Sequence, residues 1–333
     1  MRNRILIPAA CTLLGVAGLI WCGWDAAARR AALFTAVKVH SPEEVYWDPE
    51  NAPDWFVVDS PQTLTPYEAK ARAALPQDQE DATTEEQAFQ LFQYVAELGG
   101  ANAFKKNARS APSDNVRTMM EQADSKEFQG NCSDYSYILQ TLAQAAGLDS
   151  RVVGMHADVW MDGWGHALNE IYIPERKTWV AMDPLRNVYF TDGQGTPLSL
   201  LEVRTRLLDG SESDLQVVQG DVQALESSRE FVIRYYRKHI ERISYQGSLD
   251  LIESRDRIYN SGLARTIRME SWPRPLRRAL ESGLWNKDRL YLYADRSEVD
   301  DTLTGYFVFR AALALILIGA LWMAGLVFIP RRN

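Results

Sequence analysis

Gln129-Gly130-Asn131-Cys132-Ser133-Asp134-Tyr135 opens a stretch in which Tyr135, Ile138, Leu139, Leu142 and Ala146 recur at helical spacing, and Gly147 supplies the stop. Cys132 therefore stands at the start of an amphipathic helix. Two more motifs follow, Gly165-His166-Ala167-Leu168-Asn169-Glu170-Ile171 and Trp179-Val180-Ala181-Met182-Asp183-Pro184. Leu168, Glu170 and Tyr172 alternate with Ala167, Asn169, Ile171 and Ile173, the two-residue period of a strand. Arg151 to Met155 and Trp179 to Met182 read as strands too, with Pro174 to Thr178 as a turn. A helix followed by antiparallel strands predicts an α+β domain.

A cysteine in the first turn of a helix meets the positive end of the helix dipole and unpaired backbone N–H groups, and both favour thiolate over thiol. A histidine on an adjoining strand can take the thiol proton and return one to a leaving amine. Asp183 suits the carboxylate that orients such a base. The backbone N–H of Cys132 and the side-chain amide of Gln129 are candidate oxyanion donors. Trp160 and Trp164 flank the loop before His166. Trp160 suits core packing equally well, whereas Trp164, two residues from the base, is the candidate wall of a substrate cleft.

These motifs resemble the transglutaminase-like superfamily, whose core is papain-like. Gly130-Asn131-Cys132-Ser133-Asp134-Tyr135, Ala146-Gly147-Leu148 with Arg151-Val152-Val153-Gly154, Gly165-His166-Ala167 with Asn169-Glu170, and Trp179-Val180 with Asp183-Pro184 carry the resemblance, in order, over 84–192. It implies Cys132 as nucleophile, His166 as base and Asp183 as orienting carboxylate. Leu168 departs from the family, which often places an aromatic residue after His-Ala; that bears on core or cleft contacts, not on the triad.

Taken singly, each residue has a structural reading: a buried thiol, a strand-end histidine, an Asp-Pro turn. Together and in order they favour catalysis. His156 ranks as a rival base below His166, because it falls at a loop approach. Asp134, in the first helical turn, is expected to stabilise the dipole there. The four histidines and three cysteines show neither Cys-x-x-Cys nor His-Glu-x-x-His spacing, and no glycine-rich phosphate loop occurs, so neither metal nor cofactor is expected.

The chain has 333 residues of ordinary globular composition, and its net charge of −8 argues against a nucleic-acid partner. Asp78 to Glu86 is acidic, and Arg229 to Arg296 is richer in basic residues, read chiefly as solvated helix faces. Two uncharged runs, 5–24 and 311–330, are each long enough to span a hydrocarbon core about 30 Å thick as helices rising about 1.5 Å per residue. Arg2, Arg4, Arg331 and Arg332 lie outside them, which places both termini in the cytoplasm and the main domain in the periplasm or outside the cell. Arg29, Arg30 and Arg310 pull the other way. A cleaved signal peptide is the alternative for the first run, given Ala26-Ala27-Ala28. With Cys11 and Cys22 inside that run, Cys132 is the single cysteine of the main domain and has no internal disulfide partner.

Around the core, 31–80 reads as an irregular segment and 81–210 as the catalytic domain. Thr84 with Glu85, Glu86 and Gln87 suggests a capping box for a helix through Leu98. The region 211–305 reads as a mostly helical extension, with a long helix from Asp221 to Tyr245 on the spacing of Phe231, Tyr235, Lys238 and Arg242.

The function expected is a membrane-anchored thiol acyl-transfer enzyme that forms a thioester from an amide. Hydrolysis of protein or cell-wall peptide is the first expectation, on family analogy and location, and transfer to an amine, as in a protein-glutamine transglutaminase, the second. A reading of another class is a membrane-tethered scaffold with envelope membrane-protein partners, as in a polysaccharide-export complex. An intact triad speaks against it.

Overall fold

The helix begun by Cys132 lies against a sheet whose strands carry the other two motifs. The computed structural model describes residues 11–18, 37–39, 46–52, 57–75, 82–98, 116–124, 128, 130–156, 165–220, 228–246, 248–249 and 289–292, with 311–312, 314–316, 318–319 and 322 near the end of the chain. Among these, the helices of the main domain are α1 (Pro61–Ala74), α2 (Thr84–Glu97), α3 (Val116–Asp124), α4 (Cys132–Ala145), α5 (Leu200–Leu208) and α6 (Arg229–His239). The strands are β1 (Val37–Val39), β2 (Val57–Val58), β3 (Ser150–His156), β4 (Gly165–Ile173), β5 (Thr178–Asp183), β6 (Val188–Thr191), β7 (Gln216–Gln219), β8 (Arg242–Gln246), β9 (Ser248–Leu249) and β10 (Arg289–Leu292).

Eight strands form one sheet in the order β1-β10-β8-β3-β4-β5-β6-β7. Its pairings are antiparallel except for β1 beside β10. The α+β expectation stands. Because successive side chains of a strand face opposite sides, β3 to β5 feed two separate cores. Val152, Ile171, Ile173, Val180 and Met182 pack under α1 to α4 with Leu91, Phe92, Ile138, Leu139 and Leu142. Val153, Met155, Leu168 and Ala181 face the other way, toward Val203, Val232, Tyr236 and Ile243 around α5 and α6. Leu168 is thus core, fully buried.

The catalytic-motif helix is locally encoded at both ends. Asn131 accepts from the N–H of Ser133 and Asp134, and Asp134 reaches back to the N–H of Asn131, a reciprocal cap. At the other end Gly147 adopts φ +84°, and Leu148 N–H donates to Ala143 O at 2.8 Å. A left-handed residue is needed there, which glycine supplies without Cβ strain.

Several expectations need correction. The stretch 31–80 is not merely irregular, since α1 contributes 14 residues of helix and buries Tyr67 and Ala71. Pro66 lies inside that helix and removes one donor to the carbonyl four residues back, which hid it from a propensity reading. The capping box before α2 starts at Thr83, whose side chain accepts from Glu86 N–H, rather than at Thr84. The expected helix from Asp221 to Tyr245 is cut short. Residues 221–227 lie outside the described residues, α6 starts behind its cap Ser228, and it ends at His239. Arg242–Gln246 is a strand inserted between β3 and β10. The described part of 211–305 therefore adds sheet as well as helix, and 250–288 and 293–305 lie outside the described residues.

Among the described residues no helix is long and apolar enough to cross a membrane, so the described helices lend the two-span reading no support. Residues 11–18 are helical, as are 311–312, 314–316, 318–319 and 322; the rest of both runs lies outside the described residues. The two segments touch. A Cβ placed on Gly15 would lie 2.6 Å from Ile316 Cγ1 and 2.7 Å from the Ala312 carbonyl oxygen.

Candidate active site

His166 is the second residue of β4 and Asp183 the last of β5, and both are buried. His166 Nε2 lies 2.5 Å from Asp183 Oδ2. The imidazole also shares a hydrogen bond with the thiol of Cys132, the half-buried first residue of α4. The sulfur also takes a backbone hydrogen bond from Ala167. The three sequence-predicted residues are thus in one place, from three elements.

Two polar ties hold α4 in register with the strands. Asn169 Nδ2 donates to Ser136 O at 2.9 Å, and Val152 N–H donates to Gln140 Oε1 at 2.8 Å. Asn169 is three residues beyond His166 and Ser136 is four beyond Cys132. The tie therefore acts almost directly on the thiol–imidazole approach, from groups that are themselves buried.

Charge in the site follows from burial and contact. Burial pushes the Cys132 thiol up, yet the His166 hydrogen bond and charge, with the Ala167 N–H, outweigh it and leave the thiol below its ordinary value. Burial alone would lower the His166 imidazole; the Asp183 carboxylate and the Cys132 sulfur raise it well above the usual range. Burial would raise the Asp183 carboxyl, and His166, Arg186 and Tyr236 hold it below. The arrangement favours a thiolate–imidazolium–carboxylate chain.

Sequence reasoning missed three neighbours. Tyr236 of α6 donates its hydroxyl to Asp183 Oδ2 at 2.8 Å. Arg186 donates its backbone N–H to Asp183 Oδ1 at 3.1 Å, and its guanidinium comes within 4.0 Å of Oδ2. The same guanidinium lies 3.7 Å from the ring centroid of Tyr235, whose ring meets His166 edge-on at 5.4 Å. Arg186 three residues beyond Asp183 was a readable signal, whereas nothing local marks Tyr236.

The other candidates divide. Gln129, Trp160 and Trp164 lie outside the described residues. Asp134 sits in the first turn of α4, where its side chain accepts the Asn131 N–H as part of the helix cap. His156 is not at a loop approach but ends β3, opposite Gly165, and the Asp183 contact belongs to His166. No group of His, Cys, Asp and Glu side chains suited to a metal ion occurs among the described residues.

Comparison with curated proteins and with solved structures returned no match. A protein-family model does match, that of the transglutaminase-like superfamily, over residues 71–184. That segment runs from the end of α1 through Asp183 and contains Cys132, His166 and Asp183. Residues 71–184 of this chain are thus similar to the transglutaminase-like superfamily, whose fold is generally that of cysteine-protease-like enzymes.

Proposed function

We propose that the protein is a membrane-anchored thiol acyl-transfer enzyme that uses Cys132, His166 and Asp183 as a catalytic triad. The observation that carries this reading is that His166 has two partners, Asp183 Oδ2 at 2.5 Å from Nε2 and the Cys132 thiol. That is the arrangement a nucleophile, its base and the orienter of the base require.

The thiolate of Cys132 attacks an amide carbonyl carbon. The tetrahedral intermediate collapses as the C–N bond breaks, and the imidazolium of His166 gives its proton to the departing amine. A thioester remains on Sγ. His166 then takes a proton from water, the resulting hydroxide attacks the thioester, and the thiolate leaves. The cap of α4 engages the N–H groups of Ser133 and Asp134 but not that of Cys132, which suits the last as an oxyanion donor. Gln129 is proposed as the second donor and Trp164 as a wall of the cleft. Hydrolysis of a protein or cell-wall peptide is the favoured outcome, resting on the family and the expected location outside the cytoplasm.

Anchoring through 5–24 and 311–330 rests on their apolar sequence.

Acyl trapping tests the chemistry. Incubated with p-nitrophenyl acetate, the protein is expected to gain one acetyl group on Cys132, removable by hydroxylamine and absent in His166→Ala. Acetylation of Cys132 at the same rate in wild type and His166→Ala would sink the reading. For the anchor, the protein should stay with membranes in alkaline carbonate, and release into the supernatant would exclude it.

A further inference from the structure

We infer that Tyr236 is a positioning residue of this site, its hydroxyl holding the Asp183 carboxylate toward His166. The inference rests on the reading of Cys132, His166 and Asp183 as the reacting set, and it extends that set beyond the family-matched segment 71–184.

Asp183 has no freedom left once its donors are counted. Oδ2 receives His166 Nε2 at 2.5 Å and the Tyr236 hydroxyl at 2.8 Å, while Oδ1 receives the Arg186 N–H at 3.1 Å. The three donors come from β4, from the turn after β5 and from α6, so the carboxylate is fixed from three directions. Tyr236 is itself fully buried, its ring set edge-on against Phe190 at 4.7 Å. A buried phenol without an acceptor would be costly, and Asp183 is its acceptor. Around this carboxylate stand His166 from β4, Arg186 from the turn, Tyr235 and Tyr236 from α6, and beyond them Cys132 from α4 and His239, whose ring lies 4.7 Å from that of Tyr235.

Donation to a carboxylate favours its charged form and drains part of its charge. Without the phenol, the ionised Asp183 keeps more of its charge and presents a stronger negative field to Cys132, which raises the pH at which the thiolate is lost on acidification.

The test is the pH profile of iodoacetamide alkylation at Cys132 in the full chain, read by peptide mass spectrometry so that Cys11 and Cys22 are separated. Tyr236→Phe should move the acid limb up by about one pH unit. Site-specific 3-fluorotyrosine at position 236, a stronger donor of almost the same shape, should move it down, and this arm decides the matter if Tyr236→Phe fails to fold. An acid limb unmoved by fluorotyrosine, with alkylation otherwise as in wild type, overturns the role of Tyr236 and leaves the triad standing. A wild-type Cys132 that titrates like a free thiol, at about 8.5, overturns the triad and the positioning role with it.

Discussion

Arg151 and Glu170 face each other across β3 and β4, both buried, with the guanidinium Nε and Nη2 donating to Glu170 Oε2 at 3.0 and 2.7 Å. The other oxygen of Glu170 accepts from Tyr46 Oη at 2.6 Å and from Leu200 N–H at 2.8 Å. The guanidinium lies 4.0 Å from the Trp179 ring centroid. One carboxylate thus joins two strands, the N-terminal segment and the start of α5. Glu170→Ala strands a buried arginine charge and should cost about 3–5 kcal/mol of stability by chemical denaturation. A loss near zero would mean that water or another acceptor replaces Glu170.

Asn169 is the second point where one side chain sets a layer-to-layer distance. Asn169→Ala removes this tie and leaves the Ser136 carbonyl only its partner within the helix, and should lower stability by about 0.5–1.5 kcal/mol. It should also slow alkylation of Cys132 near neutral pH, because the thiol–imidazole approach loosens. Lower stability with an unchanged alkylation rate would limit Asn169 to packing.

At the cap of α4, Asn131→Ala should cost about 1 kcal/mol. Asp134→Ala should add less than its separate cost in the double variant, since the two side chains cap one another. A double-mutant cycle in urea measures this, and strict additivity would show that the two act independently.

The His166–Asp183 pair also predicts a pH window for stability. Asp183 is held below its unfolded value, so its contribution is present above about pH 4 and fades as acid takes the pH through the lowered folded value. His166 is raised, so its contribution is full below about pH 6.5 and fades as the pH climbs through the raised folded value. The gap in melting temperature between wild type and Asp183→Asn should be widest between these limits and shrink on both sides. A constant gap from acid to alkaline pH would contradict the pairing.

What could be read from the sequence was local in origin. The start and stop of α4 lie in Asn131, Asp134 and Gly147, each acting on its own neighbours, and the alternation along β4 is visible in seven consecutive residues, Ala167 to Ile173. The motifs carrying Cys132, His166 and Asp183 were each visible in consecutive residues, and the structure sets these three side chains beside one another. What escaped was long-range or masked. Pro66 disguised α1, and helical spacing that continued by chance into Arg242 disguised β8. Tyr236 lies 53 residues from Asp183, a separation over which no local pattern operates.

The sheet's outer edge carries a consequence for the timing of folding. Val37, Lys38 and Val39 pair with Arg289, Leu290 and Tyr291, strands far apart in sequence. A ribosome must emit every residue from β1 to β10 before β1 can find its neighbour. Until β8 emerges, β3 has an open side as well. For that interval the nascent sheet presents unpaired backbone to other chains, a template for misassembly. Slow translation across the C-terminal third would lengthen the exposure, while a chaperone that shields β3 would shorten it.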